Sequence, residues 1–274
     1  MADPPKRATP DDTHTRFIAE MDRELMGWAD PVARLRAALD ADELELYCQP
    51  ILGLQAPRGF PLGEILVRLR EEEQAMLPPG EFLPAFEHYE MMPELDRWVV
   101  THALRSVKPG NRIPRLSINL SAQTLVDKGF PHFVREKLAA AGVPGSTIVF
   151  EIEEADMLER TEAVAAFART IKGIGCGLLF DGFGRRSVSF APLKTLGFDF
   201  VKVDGVIIRQ LARSKIAASK MNAIVRVGEA IRVGVIAECI EDDDTLALVT
   251  SVGAGFAQGF GIARPQPVAA ALKA

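Results

Sequence analysis

The chain lacks most features that mark secreted, membrane-spanning and nucleic-acid-coating proteins. Its 274 residues include three cysteines and no apolar run of 18 residues, the length that a membrane-spanning helix needs. Acidic residues outnumber basic residues by 37 to 32, for a formal charge of -5. Because nonspecific nucleic-acid affinity comes from excess lysine and arginine, we expect neither a membrane span nor a nucleic-acid polymer as partner.

The scarcity of cysteine also indicates the redox environment. Cys48, Cys176 and Cys239 are far apart, lack C-x-x-C spacing and each lie in an apolar run. We interpret them as buried, reduced thiols, which favours a reducing cytoplasm. The first 15 residues are polar and proline-rich, without the apolar core of a signal peptide, which also favours a cytoplasmic location.

From Pro31 onward, short β-rich runs alternate with helical patterns, which is typical of βα units around a mainly parallel sheet. Eight runs are predicted strands, and eight strands close a (β/α)8 barrel of the TIM type. The first two strands are too close in sequence for a crossover helix, so we expect an antiparallel hairpin. The predicted strands are 44–54, 61–70, 114–121, 147–154, 176–181, 198–204, 234–238 and 254–258.

The segments between these strands show helical patterns, with Ser121 and Asp204 as predicted N-caps. The predicted helices are 92–107, 122–141, 156–173, 189–196, 206–230 and 242–251, and residues 71–90 are predicted to form a loop with short helices. We divide the chain into a flexible N-terminal segment with a short amphipathic helix, residues 1–30, and one α/β barrel domain, residues 31–274.

Nearly every predicted strand carries a polar residue, although barrel strands are normally apolar on both faces. Each of these residues alone could be a surface residue or a satisfied core group. Most come late in their strands, however, and the carboxyl ends of barrel strands form the mouth where barrel enzymes place their sites. We therefore expect convergence at the mouth of Gln49, Glu64, Asn119, Glu151, Asp181, Lys202, Glu238 and Gln258.

The predicted mouth contains four carboxylates and one lysine, a charge balance that a divalent cation would relieve. Carboxylate and amide oxygens suit Mg²⁺ or Mn²⁺ rather than zinc. Metal-assisted phosphoryl chemistry is the reaction class that such a cluster most readily supports.

A series of motifs in fixed order resembles the EAL family of cyclic di-GMP phosphodiesterases, over about residues 33 to 268. The motifs begin at Gln49, Glu64, Ser117, Glu151, Asp181, Val201, Ala237 and Gln258, and the series ends with Arg264-Pro265. The resemblance implies a TIM-like barrel with one antiparallel strand that binds cyclic di-GMP. In active members it also implies hydrolysis to linear pGpG with two Mg²⁺ or Mn²⁺ ions.

The resemblance also implies roles for individual residues. The implied metal ligands are Glu64, Asn119, Glu151, Asp181 and Glu238. Lys202 would hold or activate the attacking water with Gln258 nearby, Glu238 would join this catalytic group, and Glu154 would steady the loop after the fifth strand. The implied ligand contacts are Gln49, Leu66, Arg68 and Pro265.

The departures from the family pattern concern hydrolysis more than binding. Ile65 replaces the alanine of the Glu-Ala-Leu signature, a mild apolar change. Gly182 replaces a carboxylate that helps to bind the second metal ion, so one metal site is expected to be retained and the second to be lost. Arg185 and Arg186 replace a Thr-Gly pair, and their alternatives are contact with ligand phosphate, contact with a partner, or exposure to water.

Three functions remain open at this point. The first is a binding module that takes up cyclic di-GMP and passes its occupancy to a partner, since the implied ligand contacts are intact. The second is a working but weakened phosphodiesterase. The third is a protein-interaction domain that has lost the nucleotide. A homodimer and a separate protein partner are both compatible with these functions.

Overall fold

The computed structural model describes residues 30–41, 43–70, 76, 77, 79–186 and 189–273. The amphipathic helix predicted within the first 30 residues lies outside these ranges. Among the described helices, none is both long enough and apolar enough to cross a bilayer.

One sheet contains all ten strands of the described part of the chain. They are β1 (Leu44–Gly53), β2 (Gly59–Arg70), β3 (Met76–Leu77), β4 (Leu116–Asn119), β5 (Ile148–Glu153), β6 (Gly177–Phe183), β7 (Phe200–Val203), β8 (Gly234–Ala237), β9 (Phe256–Ala257) and β10 (Gln266–Pro267).

Eight of these strands close a barrel in the order β1-β2-β4-β5-β6-β7-β8-β9, with β9 pairing back onto β1. The strands from β2 to β9 around the barrel are parallel, and β1 is antiparallel to both of its neighbours. This confirms the predicted TIM-like barrel with one antiparallel strand. The predicted hairpin is also confirmed, and its register places Gln49 opposite Glu64.

The helices cover the outside of the barrel and are numbered here in chain order. They are α1 (Pro31–Asp40), α2 (Pro79–His88), α3 (Met92–Ser106), α4 (Ala122–Leu125), α5 (Phe130–Ala141), α6 (Glu154–Glu159), α7 (Thr161–Ile174), α8 (Ala191–Thr195), α9 (Gly205–Arg209), α10 (Lys215–Ile231), α11 (Asp243–Val252) and α12 (Val268–Ala271). Ser121 caps α4 and Asp204 caps α9, as predicted.

Three of the predicted helices are interrupted. The helix predicted over 122–141 breaks between α4 and α5, where the Asp127 side chain accepts a hydrogen bond from the Gly129 amide and Pro131 lies in the next first turn. A proline suits a first turn because it has no amide hydrogen to donate. The prediction of one continuous helix at this place was therefore wrong.

The other two interruptions have different local causes. The helix predicted over 206–230 is divided because Ser214 caps the start of α10 by accepting a hydrogen bond from the Ala217 amide. The helix predicted over 156–173 begins earlier, at Glu154, and breaks at Arg160, whose φ of -130° is not helical. Sequence analysis also missed α1, β3, β10, α12 and the ten-residue length of α2.

An apolar layer fills the interior of the barrel. Six strands each contribute one residue to this layer: Ile51, Leu62, Val149, Leu179, Phe200 and Ile236. All six are buried. A separate and larger core lies between the outer face of the sheet and the helices. The interior of the barrel is thus packed rather than open, which leaves the mouth as the place for polar chemistry.

Candidate active site at the barrel mouth

The predicted polar residues lie directly above the apolar layer. Side chains two positions apart in a strand share one face, so a residue two positions beyond a layer member also points to the interior of the barrel. This relationship holds for six of the eight: Ile51 with Gln49, Leu62 with Glu64, Val149 with Glu151, Leu179 with Asp181, Phe200 with Lys202, and Ile236 with Glu238. In β1 the polar residue precedes the apolar one, because this strand runs in the opposite direction.

Lys202 lies at the centre of the acidic residues. Its Nζ is 2.5 Å from Oε2 of Glu151, 3.0 Å from Oε2 of Glu64 and 3.8 Å from Oδ1 of Asp181. The side chain is only 2% exposed. Burial favours the neutral amine, but the three carboxylates raise the pKa of Lys202 well above its ordinary value, so the lysine stays protonated.

Glu64 is held by three polar neighbours. Its Oε1 accepts a hydrogen bond from Asn119 at 2.9 Å, and its Oε2 accepts one from Gln258 at 2.7 Å in addition to the Lys202 contact. Burial opposes ionisation, but Lys202 and these hydrogen bonds outweigh it and hold the pKa of Glu64 below its usual range. Glu64 is therefore an ionised carboxylate that joins strands on both sides of β2.

Glu151 is the acid with an unsatisfied oxygen. Its side chain is fully buried, and its Oε1 has no hydrogen-bond partner among the described residues. Burial and the negative charges of Glu64 and Asp181 raise the pKa of Glu151 to about 8, against the influence of Lys202. A buried oxygen without a partner is costly, so this atom is available to a proton or a cation.

The oxygen atoms around Lys202 are of the kind that bind a hard divalent cation. Glu64, Asn119, Glu151 and Asp181 come from the neighbouring strands β2, β4, β5 and β6 and offer oxygen atoms, and one Glu151 oxygen is unsatisfied. Across the described residues, no three histidine, cysteine or acidic side chains are already gathered in a metal-binding geometry. Lys202 contacts the same oxygens, so a cation would compete with its ammonium group.

The side of the mouth next to β6 offers fewer oxygen atoms to a metal ion. Gly182 has no side chain, and its amide donates a hydrogen bond to Oδ1 of Asp181 at 2.8 Å. Its φ of +68° lies in the left-handed region that favours glycine. Glu238 is half-buried and its Oε1 accepts a hydrogen bond from the Gly205 amide at 2.6 Å. Burial and nearby Asp181 raise the pKa of Glu238.

The four predicted ligand-contact residues lie on the β1–β2 side of the mouth. Gln49 donates a hydrogen bond to the Ala263 carbonyl and accepts one from Gln258. Leu66 and Arg68 follow Glu64 at two-residue intervals in β2, so they share its face. The Arg68 guanidinium lies over the Tyr47 ring at 5.7 Å. Pro265 directly precedes β10, which pairs with β1.

Glu154 contacts the loop that follows β6. Its Oε2 accepts a hydrogen bond from the Arg186 amide at 2.7 Å, and its Oε1 accepts one from the Gly184 amide at 3.4 Å. The Glu154 carboxylate, directly after β5, thereby holds the backbone of the loop after β6 in place.

Sequence analysis did not assign Phe260 or Cys239 to the mouth. Phe260 is exposed and lies with its ring 4.8 Å from the Arg264 guanidinium, and Cys239 is half-buried rather than buried as predicted. Both line a cavity of about 180 Å³ together with Gln49, Glu64, Glu238, Glu241, Gln258 and Gly259. The available signal for Phe260 was its position, since an aromatic residue just beyond the end of the last barrel strand lies near the mouth.

The comparisons with known proteins identify the family. The family model named EAL domain matches residues 32–265 of the sequence. The chain belongs to the EAL domain family. This EAL domain is 28% identical over 262 residues to the cyclic di-GMP phosphodiesterase PdeF of Escherichia coli K12, covering 94% of this chain and 35% of PdeF. It is 29% identical to the cyclic di-GMP phosphodiesterase PdeB of Shewanella oneidensis, covering 88% of this chain and 28% of PdeB.

Solved structures show the same fold. The EAL domain of FimX from Pseudomonas aeruginosa bound to c-di-GMP superposes with a TM-score of 0.81 at 25% identity, covering 89% of this chain and 99% of that one. The FimX EAL domain of Xanthomonas citri in complex with c-di-GMP gives 0.81 at 26% identity, covering 91% and 96%. This EAL domain spans about a third of the length of the curated relatives PdeF and PdeB.

Proposed function

We propose that this EAL domain binds cyclic di-GMP at the barrel mouth and acts as a receptor whose hydrolytic activity is impaired. The observation that carries the proposal is Gly182, which presents no carboxylate beside an otherwise assembled group of acids around Lys202. The relatives described as complexes with the dinucleotide support the choice of ligand.

The residues on the β1–β2 side have the chemistry to bind a cyclic dinucleotide. The Arg68 guanidinium suits a phosphodiester oxygen, and the Pro265 ring offers an apolar face to a guanine base. The cavity of about 180 Å³ can hold a part of such a ligand only, since sites for whole drug-sized molecules are larger. The ligand would therefore also lie across the rim.

The acids around Lys202 would hold the metal ion that hydrolysis needs. Glu64, Asn119, Glu151 and Asp181 would bind one Mg²⁺ or Mn²⁺ ion, which supplies charge stabilisation to a phosphoryl oxygen when it is bound. Lys202 would orient a water molecule through its N–H groups, with Gln258 and Glu238 nearby. Without a carboxylate at position 182 the second ion lacks a ligand, and each ~1.4 kcal/mol of lost transition-state stabilisation slows the reaction about tenfold.

Calorimetry with cyclic di-GMP tests the binding. We expect wild-type protein to bind in EDTA and in Mg²⁺, and Arg68→Ala to weaken binding by about tenfold or more. The control is Arg135→Ala, an exposed arginine on α5 outside the barrel, which should bind as the wild type does. If the wild type gives no heat in either solution, the domain is not a cyclic di-GMP receptor.

The second candidate is a phosphodiesterase of reduced activity. It is favoured by the complete contact group of Lys202, Glu64, Glu151 and Asp181. Its test is the formation of linear pGpG with Mn²⁺, followed by chromatography of the nucleotides. Turnover at the rate of an active EAL enzyme would show that the proposal of impaired hydrolysis is wrong.

A further inference from the structure

The loop after β6 holds Arg185 in a tight turn. The Arg185 amide donates a hydrogen bond to the Gly182 carbonyl at 3.3 Å, and Gly182 and Gly184 have φ angles of +68° and +91°. A Cβ atom on Gly184 would come within 2.7 Å of the Ile207 side chain, so the loop packs closely on α9. This turn fixes where the Arg185 side chain leaves the backbone.

One edge of the Arg185 guanidinium is anchored and the other is open. Its Nε lies 2.8 Å from Oδ2 of Asp204, whose side chain is 2% exposed, while the Arg185 side chain is 68% exposed. The other oxygen of Asp204 accepts a hydrogen bond from the Val206 amide at 2.8 Å. A guanidinium carries five N–H donors, and among the described residues the two terminal nitrogens of Arg185 have no hydrogen-bond partner, so they remain for a further acceptor.

This arginine lies beside the part of the mouth that lacks a carboxylate. Asp204, its anchor, is followed by Gly205, whose amide contacts Glu238. Lys202 is buried and committed to three carboxylates, so it offers little open charge to an anion, whereas Arg185 does.

We propose that Arg185 contacts a phosphodiester oxygen of the bound cyclic dinucleotide and supplies there the positive charge that a second metal ion would otherwise provide. This inference rests on the proposed function of the same mouth. It accounts for Gly182 and Arg185 together: a rim that has lost one acid and gained a fixed cation can hold an anionic ligand without a divalent ion on that side.

The test is calorimetry with cyclic di-GMP in EDTA, so that no divalent ion can replace the arginine. We expect Arg185→Gln to weaken binding by about tenfold to a hundredfold, since a hydrogen bond between charged groups is lost. Arg185→Lys keeps the charge and should recover part of this loss. Affinity should also fall less steeply with added salt in Arg185→Gln than in the wild type, because one ionic contact is missing.

The matched control is Arg186→Gln. Arg186 is the next residue, is similarly exposed, and pairs with Glu159 at 3.3 Å. It should bind with wild-type affinity and salt dependence. Equal binding by Arg185→Gln and wild type in EDTA would overturn the role of Arg185 and leave the receptor function intact. No binding by the wild type in EDTA or Mg²⁺ would overturn both, and thermal unfolding of each variant identifies any loss due to misfolding.

Discussion

The ammonium nitrogen of Lys202 lies 3.0 Å from Oε2 of Glu64, although 138 residues separate the two in the chain. The same nitrogen also contacts Glu151, so one lysine joins carboxylates from β2 and β5 across the barrel interior. In this arrangement the acids of the mouth are assembled around a lysine. A divalent cation would have to share these oxygens with it or displace it.

Replacement of Lys202 by methionine should destabilise the fold at neutral pH. The variant leaves the ionised Glu64 carboxylate buried without its counter-ion, and removal of one partner from a buried ion pair costs about 3 to 5 kcal/mol. Urea denaturation measures this change in the free energy of unfolding. The loss should be smaller at acidic pH, where Glu64 also takes up a proton.

The double variant Lys202→Met with Glu64→Gln is the control for that interpretation. It removes the stranded charge, so it should be more stable at neutral pH than Lys202→Met alone. A loss below about 1 kcal/mol in the single variant would show that the cluster does not depend on the ammonium group.

Replacement of Gly182 by aspartate should increase hydrolysis. The space around the missing side chain is open, since no atom of the described residues other than its two chain neighbours lies within 4 Å of a Cβ built there. The φ of +68° imposes a cost of about 1 kcal/mol, which aspartate tolerates better than most residues. We expect faster pGpG formation with Mn²⁺, measured by chromatography, if the domain binds cyclic di-GMP.

Gly182→Ala separates the carboxylate from the backbone strain. It should lose at least as much stability as Gly182→Asp in thermal unfolding, but it should not gain activity. Equal pGpG formation by the two variants would mean that the residue at 182 does not limit the reaction.

Much of the mouth could be predicted because strand geometry is regular. Once Leu179 and Asp181 were assigned to one strand, the late position of Asp181 and the common direction of parallel strands placed the acid at the rim. The same argument placed Glu151 and Lys202 at that rim. The antiparallel hairpin was predicted because too few residues connect the first two strands for a crossover helix.

The parts that were missed depend on contacts between residues remote in sequence. Arg185 and Asp204 pair because the loop after β6 turns back at Gly182, a left-handed turn that a sequence pattern does not specify. The break before α10 depends on whether the Ser214 hydroxyl caps a new helix or faces outward. Helical periodicity continues across such a break, so the pattern predicted one helix instead of two.

Replacement of Glu154 by alanine should loosen the loop after β6. The variant removes the acceptor for the Gly184 and Arg186 amides, and each bond to a charged acceptor contributes about 1.5 to 3 kcal/mol. We expect faster hydrogen exchange in the peptide that contains residues 184–186. Glu159→Ala removes an exposed partner of the Arg186 and Arg160 side chains but keeps the Glu154 acceptor, so it should leave exchange of these amides unchanged.

Asp96 should make folding stability depend on pH. Its buried carboxylate accepts hydrogen bonds from the Ser121 amide at 3.1 Å and the Ser121 hydroxyl at 2.7 Å, at the start of α4. Burial raises the pKa of Asp96 in the folded state despite these bonds. The folded state therefore holds a proton more tightly than the unfolded state, and this residue's contribution to stability falls as pH rises from about 4 through the raised pKa.

Asp96→Asn cannot titrate but can still accept a hydrogen bond from Ser121, so its free energy of unfolding should fall less over this pH window. Urea denaturation at a series of pH values measures the difference. Asp242→Asn should change the curve in the opposite direction, because the hydrogen bond from the Thr245 amide lowers the pKa of exposed Asp242 and its contribution is lost as pH falls. Parallel curves for Asp96→Asn and the wild type would show that Asp96 has an ordinary pKa in the folded protein.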